Sequence, residues 1–148
     1  MRTSVVFCVV LFASVAIAAD NPPALASKDQ ARDFGELFMR TMAGGDTYNA
    51  FAMVKAQLRD TGEDTDALRD TTQQMLDEAR PKLGKPIGYE LVGEKELGQS
   101  LIRYDYILKL EKFAVHFRII FYKPQQEWLP AQMWVDQDIR QLIDDLGK

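Results

Sequence analysis

The sequence predicts an α+β fold in which N-terminal helices pack on a curved four-stranded antiparallel meander sheet, followed by a short C-terminal helix. Three observations predict it. Apolar residues recur at helical spacing over about residues 27–82, strict alternation replaces that spacing over about 86–136, and a last helical stripe returns over about 137–146. Alternation on one face only is the mark of an antiparallel sheet covered on one side.

Before the first helix, residues 1–18 have the make-up of an export signal. Arg2 gives a positive start, Val5–Ile17 is apolar but for Ser14, and Ala16-Ile17-Ala18 is a small-x-small cleavage site. The apolar run is shorter than the roughly 20 residues that span a bilayer. Cleavage after Ala18 leaves 19–148 as one α+β domain and removes Cys8, the chain's one cysteine. No disulfide, thiolate metal site or thiol nucleophile is then available. An exported protein without disulfides fits a bacterial periplasm, so the expected location is periplasmic or secreted. The formal net charge is −4, and losing Arg2 makes it one unit more negative. With no basic run, nucleic acid and anionic membrane are poor partners.

Asp20–Ala26 is a short extended leader containing Pro22-Pro23, and Ser27-Lys28-Asp29-Gln30 reads as a capping box. Phe34, Leu37, Phe38, Thr41 and Met42 then mark a helix that Gly44-Gly45 stops. Asp46 restarts it. Phe51, Val54 and Leu58 give the second helix its buried side, and polar Arg59–Asp66 with Gly62 reads as a loop. The third helix carries Leu68, Thr72, Met75, Leu76 and Ala79 and is expected to end before Pro81, because the residue preceding a proline avoids helical geometry. Asp136 is the expected N-cap of the last helix, with Ile139, Leu142, Ile143 and Leu146 on one side.

Strand register follows from parity. Ile102, Tyr104, Tyr106, Leu108 and Leu110 are apolar on even positions, whereas Phe113, Val115, Phe117, Ile119 and Phe121 are apolar on odd ones. A two-residue turn at Glu111-Lys112 makes that switch and pairs Leu108 with Val115, Tyr106 with Phe117 and Tyr104 with Ile119. On the opposite face it sets Asp105 across from Arg118. A turn at Gly98-Gln99 pairs Leu91 with Tyr106, Tyr89 with Leu108 and Ile87 with Leu110, and puts Glu94 beside Arg103. A loop at Pro124–Gln126 brings Leu129, Ala131, Met133 and Val135 opposite Phe121, Ile119, Phe117 and Val115.

The order of elements, with Gly88-Tyr89-Glu90-Leu91-Val92 and Phe121-Tyr122-Lys123-Pro124 followed by Trp128, resembles the NTF2-like superfamily in its small exported members of unassigned function. The resemblance implies helices in the concave side of a curved sheet, a conical pocket between them, and dimerisation through the convex face. No strand pair is seen between the helices, so a cystatin-like helix-on-sheet arrangement stays open, although the Gln-x-Val-x-Gly loop of cystatins is absent.

Two candidate surfaces result. Tyr89, Tyr104, Tyr106 and Met133, with Tyr48 from the helices, would line a pocket on the apolar sheet face. On the other face Ile107, His116 and Trp134 fall together, Ile120 beside Pro130 and Tyr122 beside Trp128; such contiguous aromatic and aliphatic residues suggest an interface, with the C-terminal helix folding back over them as the competing reading. His116 is the single histidine, so no usual zinc site forms; Ser27 is a helix cap and Ser100 alternates to the other face, so no serine triad forms either. No catalytic residue, metal ligand or cofactor is assigned. The expectation is an exported, non-catalytic binding or interaction module, homodimeric through the outer face or docked on an envelope protein, with room for a small apolar ligand. The alternative is an NTF2-like enzyme acting on a small apolar substrate in the cone, its carboxylate supplied by a bulge at Gly93 that turns Glu94 inward.

Overall fold

The computed structural model describes residues 22–58 and 64–147; the expected export signal and residues 59–63 of the expected Arg59–Asp66 loop lie outside them, and Thr65 and Asp66 already belong to the helix that follows. Among the described residues three helices precede four strands, and a seven-residue helix follows the sheet.

α1 (Lys28–Ala43) starts where the Ser27 Oγ accepts from the Gln30 N–H at 3.1 Å, and the Gln30 Oε1 in turn accepts from the Ala26 N–H at 2.7 Å. It stops at Gly44, whose N–H returns to the Arg40 carbonyl at 3.0 Å. Its buried face is Ala31, Gly35, Phe38, Met39 and Met42. Leu37, expected inside, is half exposed. The Asp46 Oδ1 then accepts from the Asn49 N–H at 3.1 Å and opens α2 (Thr47–Leu58). The Asp64 carboxylate does the same for α3 (Thr65–Leu83), accepting from the Ala67 N–H at 2.9 Å.

α3 runs through Pro81 rather than stopping before it. The proline sits in the last turn, where its ring removes only one backbone donor. The Gly84 N–H closes on the Arg80 carbonyl at 3.0 Å, and Leu83 packs against the core. Tertiary packing outweighs the local preference of Arg80.

The strands β1 (Pro86–Leu97), β2 (Leu101–Leu110), β3 (Ala114–Tyr122) and β4 (Leu129–Asp136) form one antiparallel sheet in sequence order. The β2–β3 ladder has the expected register, with Leu108 opposite Val115, Tyr106 opposite Phe117, Tyr104 opposite Ile119 and Asp105 opposite Arg118. Its Glu111-Lys112 turn lacks the Asn-Gly chemistry of tight hairpins but is held from outside. The Glu111 N–H donates to the Lys85 carbonyl at 3.2 Å and the Lys112 N–H to the Leu83 carbonyl at 3.0 Å. The link between α3 and β1 thus fixes the turn.

Both flanking ladders depart from strict alternation. In β1 the register shifts between Pro86 and Gly88 and again between Leu91 and Gly93. Leu91 still faces Tyr106 and Tyr89 faces Leu108, but Ile87 is displaced from Leu110 and lies exposed. Beyond the second bulge Glu94 sits opposite Tyr104, and Lys95 takes the place opposite Arg103. In β4 a shift at Ile120/Phe121 puts Pro130 opposite Phe121, Met133 opposite Ile119 and Val135 opposite Phe117. An added residue in one strand reverses which face its later residues see. The helices cover one sheet face, α1 across β1 and β2 and α2 against β4. The core between the layers is aromatic, with Phe38 and Phe51 edge to face at 5.4 Å and Tyr104 and Phe121 at 5.9 Å. Among the described residues no helix is long and apolar enough to cross a membrane.

Candidate functional site on the outer sheet face

On the helix-covered face, the five residues expected to line a pocket do not come together around one. Tyr104 and Tyr106 are fully buried members of the packed core, and Tyr89 and Met133 are half-buried against it. The Tyr104 hydroxyl donates to the Lys28 carbonyl at 3.2 Å, and the Tyr89 hydroxyl to Glu36 at 2.9 Å. Burial pushes the Tyr104 hydroxyl up to about 12, with the Glu94 charge adding to it, and burial raises Tyr106 further. Both therefore stay neutral and do not act as bases, and of the two only the Tyr104 hydroxyl donates. Tyr48 lies outside altogether: it is 67% exposed, with the Arg69 guanidinium 5.3 Å above its ring. The buried side of α2 is set by Thr47, Ala50, Phe51 and Val54, which turns the intervening Tyr48 to solvent.

Glu94 does reach the helix side of the sheet through the bulge before Gly93. It arrives at the seam between α1 and β1, where its carboxylate is 3.9 Å from the Arg32 Nη1, and it stays 40% exposed. Lys28 pairs with Glu96 along the same seam.

The outer face carries the more organised chemistry. Asp105 is completely buried there, on a face that would ordinarily be solvated. Its Oδ1 accepts from the His116 Nε2 and the Arg118 Nε, each at 2.8 Å, while the Arg103 Nε lies 2.7 Å from Oδ2. Strand alternation brings Arg103, Asp105, His116 and Arg118 to one side, and the β2–β3 register sets Asp105 directly across from Arg118. Burial alone would raise the Asp105 carboxyl; the His116 and Arg118 hydrogen bonds and the Arg118 and Arg103 charges outweigh it and hold the group below its ordinary value. The ionised carboxylate needs a donor, which places a proton on Nε2 of His116.

α4 (Arg140–Leu146) folds back over part of this face. Its N-cap is Ile139, not Asp136, and no side chain caps it; Asp138 accepts from the Arg140 N–H at 3.0 Å and Asp136 from the Asp138 N–H at 2.8 Å, so the helix starts later than its stripe suggests. Leu142 is buried, and Leu142 and Leu146 line an apolar surface with Val92, Ile107 and Ala114. Leu146 sits so close over Gly93 that a Cβ there would fall 2.6 Å from its methyl carbon. Asp145 completes the clasp, 3.0 Å from the Arg118 Nη2 and 3.9 Å from the Arg103 Nη1.

Of the six residues expected at an interface, Ile107 is half-buried and lines an apolar groove between the sheet and the chain's own last helix. His116 is 6% exposed, opposite Asp136 rather than Trp134, and Ile120 is half-buried opposite Gln132 rather than Pro130. Trp128 belongs to the core at 2% exposure, its N–H donating to the Leu25 carbonyl at 2.8 Å. The β4 bulge is the reason, because it turns Pro130 inward. Tyr122 and Trp134 stay outside, at 45% and 58% exposure. Beside α4, His116, Arg118, Trp134, Asp136 and Gln141 line a cleft of about 260 Å³. Sequence reasoning missed Asp136 and Gln141 as its walls. The β4 shift that places Asp136 opposite His116 leaves no mark in apolar alternation. No group of acidic and histidine side chains suited to a metal ion occurs among the described residues.

No family model matches the chain, and searches of curated proteins and of solved structures find no match to it either.

Proposed function

We propose that this chain is an exported, non-catalytic binding module of the helix-on-sheet kind, and that it meets its partner on the outer face of β3 and β4 beside α4. One observation carries the reading: Trp134 stands 58% exposed over a cleft whose floor is fixed from below by the wholly buried Asp105. A buried carboxylate with three nitrogen partners gives less stability than well-packed apolar residues of the same volume. What the network does supply is orientation of His116 and Arg118 at a surface. The helix-side residues favour the same conclusion, because the tyrosines there are packed core and Glu94 is neutralised by Arg32 at the rim. A general base would need to be open to a substrate.

A second reading, a homodimer through the same strip, is favoured by the alignment of exposed Trp134, Tyr122 and Leu101 on the uncovered outer face. One experiment tests both. A photoreactive benzophenone side chain is placed in living cells at Gln132, an exposed outward position on β4, and separately at half-exposed Leu37 on the helix layer. Adducts from position 132 and none from 37 are expected; an adduct of twice the chain's mass identifies the homodimer. No adduct from 132 overturns the reading.

A further inference from the structure

The residues of the outer cleft have a chemistry that selects among ligands, and we infer that it is a site for a single neutral sugar ring, stacked on Trp134 and hydrogen-bonded by Asp136, Gln141, Arg118 and His116. The inference rests on the binding-module reading and names the class of ligand.

Size comes first. A cleft of about 260 Å³ falls just below the range of roughly 300–1,000 Å³ typical of small-molecule sites, so it suits a ligand of about one ring. Its lining is also unlike theirs, with four polar side chains to one indole. Charge comes second. Arg103 and Arg118 are matched by Asp105 and Asp145, which leaves Asp136 as the one unmatched charge lining the cleft. Anions gain little from guanidinium groups already bonded to carboxylates and would meet Asp136, while a cation would find that single half-exposed carboxylate as its whole counter-charge. A neutral ligand rich in hydroxyls uses Asp136 as an acceptor and needs no counter-charge.

Geometry comes third. β3 and β4 set these groups in a square, with His116 opposite Asp136 and Arg118 opposite Trp134. Gln141 of α4 closes one side, while β4 is the sheet's edge strand. Among the described residues no cation lies over the Trp134 ring, so its face is free to stack. A pyranose ring presents an apolar C–H face for such stacking and a rim of hydroxyls that each donate and accept. Asp136 accepts, Arg118 donates, and Gln141 does both. The His116 side chain is only 8% exposed and lines the cleft; with Nε2 committed to Asp105, its Nδ1 makes no hydrogen bond among the described residues. Its ring is thereby held in one orientation at the cleft. Buried polar groups held in one orientation reject ligands lacking the matching hydroxyl more strongly than apolar walls reject the wrong shape.

The test uses the mature full chain and Trp134 fluorescence. Glucose, galactose, mannose and N-acetylglucosamine are titrated singly, with choline and free arginine as cationic rivals. The expected result is a saturable change with at least one sugar. It should weaken roughly tenfold in Trp134→Ala, read by calorimetry, and persist in Tyr122→Ala. Thermal unfolding of Trp134→Ala should match wild type, since the indole is mostly exposed. Saturation by choline or arginine alone, unchanged sugar binding in Trp134→Ala, or no saturation with any sugar overturns the inference. Photoadducts from Gln132 without sugar binding sink this ligand class only; the loss of both removes the binding surface as well.

Discussion

The hydroxyl of Tyr106 ends where a side chain at Gly35 would begin: a Cβ built on Gly35 lies 2.5 Å from the Tyr106 Oη. Glycine inside a helix costs about 1 kcal/mol relative to alanine, so its presence in the buried face of α1 calls for a reason. The reason is the close approach of β2. Tyr106 Oη is also buried without a hydrogen-bond partner among the described residues.

Gly35→Ala is therefore expected to destabilise the fold by about 1–2 kcal/mol, overpacking outweighing the gain in helix propensity. Tyr106→Phe should be near neutral, because it removes a hydroxyl that satisfies nothing. The double variant should recover most of the loss. Urea unfolding of the four proteins reads the coupling directly, and additive effects would show that the two residues do not meet.

The Asp105 network sets the response to acid. Its folded-state pKa is depressed, so its contribution is complete above the ordinary carboxylate value of about 3.9 and is lost as pH falls through the folded value. Asp105→Asn should cost about 3 kcal/mol at neutral pH, because Arg103 and Arg118 would keep only Asp145 for a counter-charge. The gap between variant and wild type should hold steady from neutral pH down to about 4 and narrow below it. Unfolding midpoints across that range check the sign. A gap that widened in acid would mean that the carboxylate is protonated in the native state.

The middle of the sheet was legible because its two strands obey parity. Ile102 to Leu110 and Phe113 to Phe121 allow one register, and the Asp105–Arg118 pair follows from it without further assumption. The flanking strands were not, since bulges at Val92 and Ala131 reverse the facing of Glu94 and Trp128 without altering the apolar content of either segment. Gly93 is the one marker in the sequence, and it serves two ends: next to the bulge, it also makes room for Leu146. The cleft was half legible. His116 and Trp134 stand out by type, whereas Asp136 and Gln141 look like ordinary surface residues until the β4 shift and the return of α4 bring them alongside.

α4 should be the part of the outer face that lets go first. It is short, its Ile143 is 62% exposed, and it is held by Leu142, Leu146 and one carboxylate. Leu142→Asp is expected to release it while the sheet stays folded. Hydrogen exchange would then show faster amides over Arg140–Leu146 with those of β2 and β3 unchanged, together with new binding of an apolar dye to the uncovered Val92, Ile107 and Ala114. Loss of protection throughout the sheet would show instead that α4 is part of the cooperative core.

Gly84 tests how the helical layer fixes the hairpin. Its backbone stands at φ 84° and ψ −174°, a region that only glycine adopts without strain, and a Cβ there would meet the Glu111 side chain at 2.3 Å. This is the link whose neighbours Leu83 and Lys85 accept the turn's N–H groups. Gly84→Ala should cost about 2 kcal/mol or more, seen as a lower urea midpoint at unchanged slope. Unlike the Gly35 case, trimming the neighbour gives little relief: in Gly84→Ala with Glu111→Ala the far carboxylate is gone, but the Glu111 Cβ, 2.6 Å away, remains and so does the backbone strain. Full recovery in the double variant would show that side-chain collision alone, and not the φ of Gly84, determines the cost.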